Sequence, residues 1–373
     1  MTSQAASHIL LSQTVSHTPE HLFYMRRCLQ LAALGRGWVE PNPMVGCVIV
    51  ANGEVVAEGY HARYGEAHAE ARAIASVADS SLLSACTLYV SLEPCAHFGK
   101  TPPCADLIIR SGIRNVVIGS VDPNPKVDGG GIRKLQEAGC NVIWGVMEQE
   151  CRDLNARFFS RHEKKRPYIL LKWAQTADGF MGRLPVPGQK PAPFWISSAS
   201  ERRWTHKWRA EEQAILVGTG TAIADNPSLT VRDWSGKNPL RIVFDRKLVI
   251  PPDASLFTHD APTWVVTEQS EAPLSHVRYL QVKPGTDFWP PLLEALQAEK
   301  ILSIMVEGGA ETHVRLLALQ LWDEARIFIS HSTLGQGVLA PTLQGTPASM
   351  VETETGILLV YRNPLQNRPF SNR

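Results

Sequence analysis

The sequence predicts an α/β protein of two domains, and three observations support this prediction. The chain has 373 residues, which is more than one hydrophobic core ordinarily supports. Helical and strand patterns alternate through both halves, which favours sheets with helices on both faces. All seven cysteines lie at or before Cys151, whereas eight of the ten tryptophans follow it. We therefore expect domains at 18–147 and 168–373, joined by a linker at 148–167.

The elements of the first half follow from capping and turn signals. Thr18-Pro19 predicts a helix start, apolar residues then recur at helical spacing, and Gly35 ends the helix. Asn52-Gly53 predicts a tight hairpin between two strands. Strands are predicted at 45–50, 54–59, 87–91, 115–119 and 141–144, with further helices from 67 and at 104–110 and 132–138.

The second half shows the same alternation of short apolar runs and helical patterns. Strands are predicted at 168–174, 214–217, 241–244, 263–266, 303–307 and 325–330, and helices at 200–209, 291–298 and 312–319. These elements predict a second α/β domain.

Composition limits the possible partners. A hydrophobic content of 44% and a charged content of 20% are typical of a globular protein, and a net charge of +1 gives no general attraction to nucleic acid. The basic run at 161–166 is interpreted as a solvated linker. No stretch approaches the ~20 apolar residues that span a bilayer. Residues 1–17 lack a secretory signal pattern, and an odd number of cysteines favours reduced thiols. We expect a cytoplasmic protein that binds neither nucleic acid nor membranes.

His68, Cys95 and Cys104 form the most informative pattern in the chain. One imidazole and two thiols suit a tetrahedral Zn²⁺ ion with one position left for water, whose pKa the metal lowers toward ~7. Glu70, two residues after the imidazole, offers a carboxylate that can carry protons. This set is typical of hydrolytic deamination of a nucleobase-like ring. Eight residues separate the two cysteines instead of the usual two, so a longer loop joins the sulfur ligands.

Other interpretations of this pattern stay open. The two cysteines could be buried core thiols, or His97 could complete a closed structural zinc site. At the level of function, the alternatives are a nucleoside or nucleic-acid deaminase with a non-catalytic C-terminal domain, and a binding module stapled by zinc.

Paired glycines after a predicted strand mark a second candidate site, at Glu307-Gly308-Gly309. Glycines let backbone N–H groups approach a phosphate at a helix N-terminus. The Gly-x-Gly-x-x-Gly fingerprint is absent, and a simple strand–turn–helix connection explains the pattern equally well.

Several motifs in the first half match one family: Pro41-Asn42-Pro43, Gly59-Tyr60-His61, His68-Ala69-Glu70, Glu93-Pro94-Cys95 through Cys104, and Asp122-Pro123-Asn124-Pro125. This half resembles the deaminase part of the bifunctional riboflavin-biosynthesis deaminase–reductase family. The resemblance implies a cytidine-deaminase-like α/β/α sandwich. It implies hydrolytic loss of an amino group from 2,5-diamino-6-(5-phosphoribosylamino)pyrimidin-4(3H)-one.

The same resemblance implies the roles of individual residues. One zinc ion would be held by His68, Cys95 and Cys104, with Glu70 as the catalytic proton shuttle. The implied substrate contacts come from Asn42, His61, Lys100, Asp122 and Asn124. Turn formation is an alternative role for the two asparagines and the aspartate, because each borders a proline.

The second half resembles the reductase part of that family through Leu171-Lys172-Trp173-Ala174, Trp195-Ile196-Ser197-Ser198 and the run at 214–232. The resemblance implies a dihydrofolate-reductase-like α/β fold, NADPH as cofactor, and reduction of the ribosyl group of 5-amino-6-(5-phosphoribosylamino)uracil to ribityl. The implied cofactor contacts come from Ala174, Trp195, Thr221, Asp225, Gly309, Ala310, Glu311, Thr312, His313, Val314 and Arg315. The implied substrate contacts come from Arg209, Leu229, Arg232 and Glu307. Two arginines suit a phosphorylated substrate, because guanidinium groups bind phosphate bidentately. For Arg209 an exposed cation at a helix end is the alternative.

One segment departs from the family pattern. The family usually has Ser-Gly-Glu-Ser-Gln before the position of Trp195, whereas 182–194 is rich in proline here. Pro193 stands where the family has a serine that contacts substrate, and proline offers neither a hydroxyl nor an N–H. We therefore expect this loop to close differently over the substrate. We also expect a homo-oligomer, either a dimer or a tetramer, that binds small phosphorylated pyrimidines.

Overall fold

The computed structural model describes residues 18–96, 102–125, 127–184 and 194–365. The chain divides into two compact units between Lys164 and Lys165, and each unit has its own sheet. Within the described ranges, no helix combines the length and the hydrophobicity needed to cross a membrane. Lys100, His97 and Pro193, which the sequence singles out, lie outside those ranges.

The first unit contains a five-stranded sheet made of β1 (Gly46–Ala51), β2 (Glu54–Tyr60), β3 (Thr87–Leu92), β4 (Asn115–Ser120) and β5 (Asn141–Trp144). The strand order is β2-β1-β3-β4-β5, with antiparallel pairing from β2 to β3 and parallel pairing from β3 to β5. Its helices are α1 (Pro19–Ala33), α2 (Ala69–Ala75), α3 (Cys104–Arg110), α4 (Gly130–Glu137), α5 (Glu148–Leu154) and α6 (Ala156–Glu163), with a 3₁₀ turn at Ser80–Ala85.

Local signals position these elements as predicted. The Thr18 side chain accepts a hydrogen bond from the backbone N–H of His21 and so caps α1. Asn52 and Gly53 adopt positive φ angles of 50° and 81°, as the tight turn between β1 and β2 requires. The predicted strands of this unit and its helices α2 to α4 are confirmed to within two residues at their predicted ends.

Both faces of the first sheet are buried by helices. Side chains alternate along β1, so Cys47 and Ile49 face one way while Val48 and Val50 face the other. The first pair packs in a cluster with residues of α2, α3 and α4, and the second pair packs with residues of α1 and α5, including Met25. This arrangement is the predicted α/β/α sandwich.

The expected linker at 148–167 is instead mostly helical, because it forms α5 and α6. Apolar side chains of these helices, Cys151 and Phe158 among them, are buried in the first unit. The side chain of Asn155 accepts from the N–H of Met44 and donates to its carbonyl, both at 2.8 Å. The basic run expected to be solvated also ends in a buried residue, because Arg166 and Asp323, which both belong to the second unit, form an ion pair.

The second unit contains a nine-stranded sheet made of β6 (Tyr168–Gln175), β8 (Ala214–Gly218), β9 (Leu240–Phe244), β10 (Thr263–Thr267), β11 (Arg278–Gln281), β12 (Ser303–Val306), β13 (Glu324–Ser330), β15 (Ser349–Glu352) and β16 (Gly356–Arg362). The strand order is β11-β10-β9-β8-β12-β6-β13-β16-β15. A separate pair joins β7 (Phe180–Gly182) to β14 (Val338–Leu339). The helices are α7 (Ala199–Glu211), α8 (Thr219–Asp225), α9 (Trp289–Ala298) and α10 (Ala310–Ala318), with a 3₁₀ turn at Ser255–Phe257.

Strand direction positions the candidate site of the second unit. Pairing is parallel from β11 to β13 and antiparallel only at β16 and β15. The carboxyl ends of the parallel strands therefore meet at one edge of the sheet, where ligands bind in open α/β folds. Helices α8 and α10 follow β8 and β12 directly at this edge.

Candidate functional sites

Three side chains of the first unit converge on a point that a metal ion could occupy. His68 is the N-cap of α2, Cys104 is the first residue of α3, and Cys95 follows the end of β3. The Nδ1 atom of His68 lies 3.4 Å from the sulfur of Cys104 and 3.8 Å from that of Cys95. A tetrahedral zinc ion, with bonds of about 2.1 Å to nitrogen and about 2.3 Å to sulfur, sets such atoms roughly 3.6 Å apart. The three residues therefore fit zinc in spacing and in ligand type.

The surroundings of the Cys95 thiol favour thiolate, whereas the hydrogen bond to Cys95 and burial raise the pKa of the Cys104 thiol. The backbone N–H of Cys104 donates to the sulfur of Cys95 at 3.3 Å, and the two sulfurs are not joined in a disulfide. Hydrogen bonds from the Cys104 thiol and then from His68 outweigh burial and lower the pKa of the Cys95 thiol to about 4. A thiolate is the form of cysteine that binds metal.

Glu70 is buried in the first turn of α2, next to this cluster. Burial raises the pKa of its carboxyl to about 7. A carboxyl group with a pKa near the working pH can both accept and release a proton. The backbone brings α2 close to β2 through Gly59, where a Cβ atom would lie 2.4 Å from the carbonyl oxygen of Ala69.

Asn42 and His61, two of the expected substrate contacts, lie beside the cluster. The Nδ2 atom of Asn42 is 3.1 Å from Nε2 of His61, and Nδ1 of His61 is 3.2 Å from the carbonyl oxygen of Ala67. The His61 ring stands edge-on to the ring of His68, with 5.4 Å between centroids. The imidazole of His61 is thus held in place from both of its nitrogens.

Asp122 and Asn124 lie in the loop that follows β4. The backbone N–H of Asn124 donates to the Asp122 carboxylate at 2.8 Å, which is the turn interaction anticipated as the alternative role. Asp122 is nevertheless buried, and burial, together with the nearby Glu93 and Cys95, raises the pKa of its carboxyl to about 7. A buried carboxyl beside the cluster fits a substrate contact as well as a turn.

A cavity of about 1820 Å³ opens at the carboxyl edge of the second sheet. Binding sites for single small molecules occupy about 300–1000 Å³, so this space suits two ligands together. The expected cofactor and substrate residues line it, namely Ala174, Trp195, Arg209, Thr221, Asp225, Leu229, Arg232, Glu307, Gly309, Ala310, Glu311, Thr312, Val314 and Arg315.

His313 is the exception among the expected cofactor residues. Its side chain is fully buried, its ring lies 5.2 Å from that of Trp173, and neither ring nitrogen has a hydrogen-bond partner among the described residues. Helical periodicity explains the difference, because position 313 lies on the face of α10 that packs on the sheet, while its neighbours Thr312 and Val314 line the cavity.

Arg209 and Glu307 form an ion pair in the cavity wall. The guanidinium contacts the carboxylate through Nε at 2.6 Å and Nη2 at 2.8 Å, and Nη1 donates to the carbonyl of Thr230. Arg209 is therefore not the exposed cation considered as an alternative. Its guanidinium binds Glu307, whereas the exposed Arg232 donates hydrogen bonds to the hydroxyls of Ser228 and Thr230 in the neighbouring loop.

Comparison with known proteins assigns both parts of the chain to known families of domains. Residues 167–357 match the RibD C-terminal domain model, and residues 18–120 match the cytidine and deoxycytidylate deaminase zinc-binding region. The riboflavin biosynthesis protein RibD of Aquifex aeolicus is 42% identical over 320 residues, which cover 84% of this chain and 88% of that protein. The chain belongs to the RibD family.

Solved structures of RibD family members agree with this assignment. A Thermotoga maritima protein described as a diaminohydroxyphosphoribosylaminopyrimidine deaminase and 5-amino-6-(5-phosphoribosylamino)uracil reductase has 36% identity and a TM-score of 0.83, over 92% of this chain and 99% of its own. RibD of Acinetobacter baumannii has 29% identity and a TM-score of 0.80, over 92% and 98%. The predicted class, two α/β domains of a bifunctional riboflavin-biosynthesis deaminase and reductase, is confirmed.

One residue to which the sequence analysis gave no individual role lines the cavity of this RibD family member. Lys172 lies on β6 and is partly buried, and burial lowers the pKa of its ammonium group while Glu307 opposes the change. A charged residue within the apolar run of β6 was the available signal. A lysine with a lowered pKa in a cavity is a candidate for proton transfer.

Proposed function

We propose that the chain catalyses two consecutive steps of riboflavin biosynthesis at separate sites. The first is hydrolytic deamination of 2,5-diamino-6-(5-phosphoribosylamino)pyrimidin-4(3H)-one. The second is NADPH-dependent reduction of the ribosyl group of 5-amino-6-(5-phosphoribosylamino)uracil to ribityl. The observation that carries the proposal is the convergence of His68, Cys95 and Cys104 beside the buried carboxyl of Glu70. The substrate named for the Thermotoga relative supports the choice of pyrimidine.

In the deaminase site, His68, Cys95 and Cys104 would hold one zinc ion. Zinc supplies Lewis acidity that makes a water molecule nucleophilic at neutral pH. Glu70 would carry a proton from the attacking water to the amino group. The water oxygen would bond to the ring carbon as the bond from that carbon to the amino group breaks, and ammonia would leave. The amide of Asn42, the imidazole of His61, Asp122 and Asn124 would hold the edges of the ring, and Lys100 stays an expected phosphate contact.

In the reductase site, NADPH would lie along the cavity and supply the hydride. Backbone N–H groups at the start of α10, at Gly309 and Ala310, suit the cofactor phosphates because a helix N-terminus favours anions. Arg232, which is exposed in the cavity, suits the phosphate of the pyrimidine. Glu307, oriented by Arg209, would accept a hydrogen bond from the substrate. Lys172 would donate a proton to the ribose ring oxygen, whose bond to C1′ breaks so that C1′ can receive the hydride and the oxygen becomes a hydroxyl.

We extend the proposal to a homo-oligomer, either a dimer or a tetramer. Support comes from β15, which lies at one end of the nine-stranded sheet and exposes Met350 and Val351. An exposed edge strand with apolar side chains favours pairing with another chain. Light scattering of the wild-type protein and of Val351→Lys should show a larger species for the former.

A substitution of Glu70 tests the deaminase proposal. Glu70→Gln should abolish ammonia release from the diaminopyrimidine phosphate and leave the reductase step unchanged when its own substrate is supplied. Glu66→Gln is the matched control, because Glu66 is an exposed carboxylate of the adjoining loop that pairs with Arg72. Ammonia release by the wild type from cytidine, adenosine or RNA in preference to the diaminopyrimidine would contradict the proposal.

A chelator separates the two steps in the wild-type protein. Removal of zinc should stop ammonia release, whereas oxidation of NADPH with the uracil substrate should continue. Loss of both activities on chelation would argue against two independent sites.

A further inference from the structure

Glu93 occupies an unusual position between the zinc-ligand segment and the loop that carries Asp122. Its side chain is 4% exposed, and it lies two residues before the ligand Cys95. Each carboxylate oxygen accepts two backbone hydrogen bonds, at distances from 2.8 to 3.1 Å. Oε2 accepts from Asp122 and Gly129, and Oε1 accepts from Gly131 and Ile132.

These four donors explain why a carboxylate is required at position 93. Helix α4 begins at Gly130 after Gly129, whose φ of +74° is left-handed and whose missing side chain cannot cap the helix. The first N–H groups of a helix need acceptors, and a negative charge at this end is favourable. Glu93 supplies both from a different element of the fold. A carboxylate buried without such donors would be costly.

A close backbone contact between the start of α4 and the zinc-ligand segment also holds these two parts of the chain together. A Cβ atom added at Gly131 would lie 2.0 Å from the carbonyl oxygen of Pro94. The start of α4 therefore packs directly on the residue that precedes Cys95. The position of Asp122 relative to the metal ligands depends on this contact and on the bond from its own N–H to Glu93.

We propose that Glu93 is a positioning residue of the deaminase, which holds the Asp122 loop and the start of α4 against the zinc-ligand segment. Its function is to set the distance between the substrate-binding carboxyl of Asp122 and the metal. The inference rests on the proposed function in one respect, namely that Asp122 contacts the pyrimidine. Glu93 itself contacts neither substrate nor metal.

Glu93→Gln tests the inference. The glutamine keeps the shape of the side chain, but an amide nitrogen replaces one oxygen. That nitrogen faces two backbone N–H groups and cannot accept hydrogen bonds from them. We expect the KM of the deaminase to rise about tenfold or more, which corresponds to about 1.4 kcal/mol. The kcat should change less than about threefold, zinc should stay at one ion per chain, and the reductase should be unaffected. Glu93→Asp, which keeps the charge, should raise KM less.

Ser91→Ala is the matched control. Ser91 is a fully buried polar residue of β3, the strand that ends just before Glu93, and its hydroxyl accepts a hydrogen bond from the N–H of Gly46 at 3.1 Å. The substitution removes a buried hydrogen bond from β3 without touching the Asp122 loop, so KM should stay at the wild-type value. An equal rise of KM in this variant would show general damage to the strand and overturn the assignment.

Amide hydrogen exchange gives a readout that does not depend on activity. In Glu93→Gln the amides of Gly129, Gly131 and Ile132 should exchange faster, whereas those of β3 should not change. Unchanged exchange, or loss of zinc with KM unaltered, overturns the inference. If Glu93→Gln does not fold, Glu93→Asp provides the test, and a wild-type KM in that variant overturns the inference.

Asp122→Asn separates this inference from the proposed function. If it leaves KM unaltered while Glu93→Gln frees the loop amides, the proposed substrate contact fails and the positioning of the loop by Glu93 stands.

Discussion

The guanidinium of Arg209 lies side by side with the carboxylate of Glu307, and both side chains are about one-tenth exposed, at 11% and 10%. Burial alone would raise the pKa of Glu307, but the charge of Arg209 and its two hydrogen bonds outweigh burial and lower the pKa to about 2. Glu307 is therefore an anion at every pH at which an enzyme ordinarily works. Its carboxylate is an acceptor with a fixed direction in the reductase cavity.

This pair predicts a specific dependence of stability on pH. A carboxylate with a folded pKa of about 2 and an unfolded pKa of 4.5 adds stability above pH 4.5, which is lost as the pH falls toward 2. The contribution is up to about 3 kcal/mol. The free energy of unfolding of Glu307→Gln should therefore be lower than that of the wild type. This difference should be largest above pH 4.5 and should shrink as the pH falls toward 2.

Urea unfolding followed by tryptophan fluorescence measures this gap, since eight of the ten tryptophans lie in the second unit. Glu299→Gln is the control, because Glu299 pairs with Arg278 on the surface with both side chains 50% exposed. Such pairs contribute little. A gap for Glu307→Gln that does not vary between pH 7 and pH 3 would contradict the prediction.

Removal of a zinc ligand should separate the two activities. Cys104→Ser is expected to lower bound zinc to near zero and deaminase activity by at least about a hundredfold, because even residues behind a metal ligand cost ten- to a hundredfold. The reductase should retain its kcat. Metal analysis and the two separate assays measure these effects. Cys140→Ser, which alters a nearly buried thiol outside the site, should keep both zinc and activity.

Lys172 offers a test of proton donation in the reductase. Lys172→Met and Lys172→Arg should both lower the reductase kcat by about a hundredfold, because arginine keeps the charge but does not release a proton near neutral pH. Steady-state oxidation of NADPH with the uracil substrate measures this loss. Full activity in Lys172→Arg would show that only the charge matters. Lys207→Met, a substitution on α7 outside the cavity lining, is the control.

His313 predicts a loss of stability in weak acid. Burial lowers the pKa of its imidazole to about 3, so below the ordinary value of 6.5 the unfolded chain binds a proton that the folded chain does not. Wild type should lose about 2 kcal/mol through this residue between pH 7.5 and pH 5. His313→Leu should lose less over the same interval in urea unfolding, whereas His331→Leu, at an exposed histidine, should follow wild type.

Short-range chemistry explains what the sequence predicts well. The N-cap at Thr18, the hairpin at Asn52-Gly53 and the pattern of His68 and Glu70 on one helical turn each depend on neighbours along the chain. Local features also place Cys95 after a strand end and Cys104 at a helix start. Their convergence with His68, 27 and 36 positions away, was predicted from the ligand types and the family resemblance.

Features that depend on distant neighbours were missed or misread. Arg209 meets Glu307 across 98 positions of the sequence, so its burial could not be inferred from an exposed-looking helix end. The helices at 148–163 place a few apolar residues on the first unit, but their many charges resembled those of a linker. The four bonds of Glu93 reach donors 29 to 39 positions away, which no local pattern indicates.

The division between Lys164 and Lys165 separates two sets of buried side chains that share no member. We therefore expect damage confined to one set to leave the catalytic site of the other unit intact. Two variants of the chain, one defective in hydrolysis and one in hydride transfer, should carry out both steps when they are mixed in one assay. The deaminated pyrimidine would simply diffuse from one protein to the other.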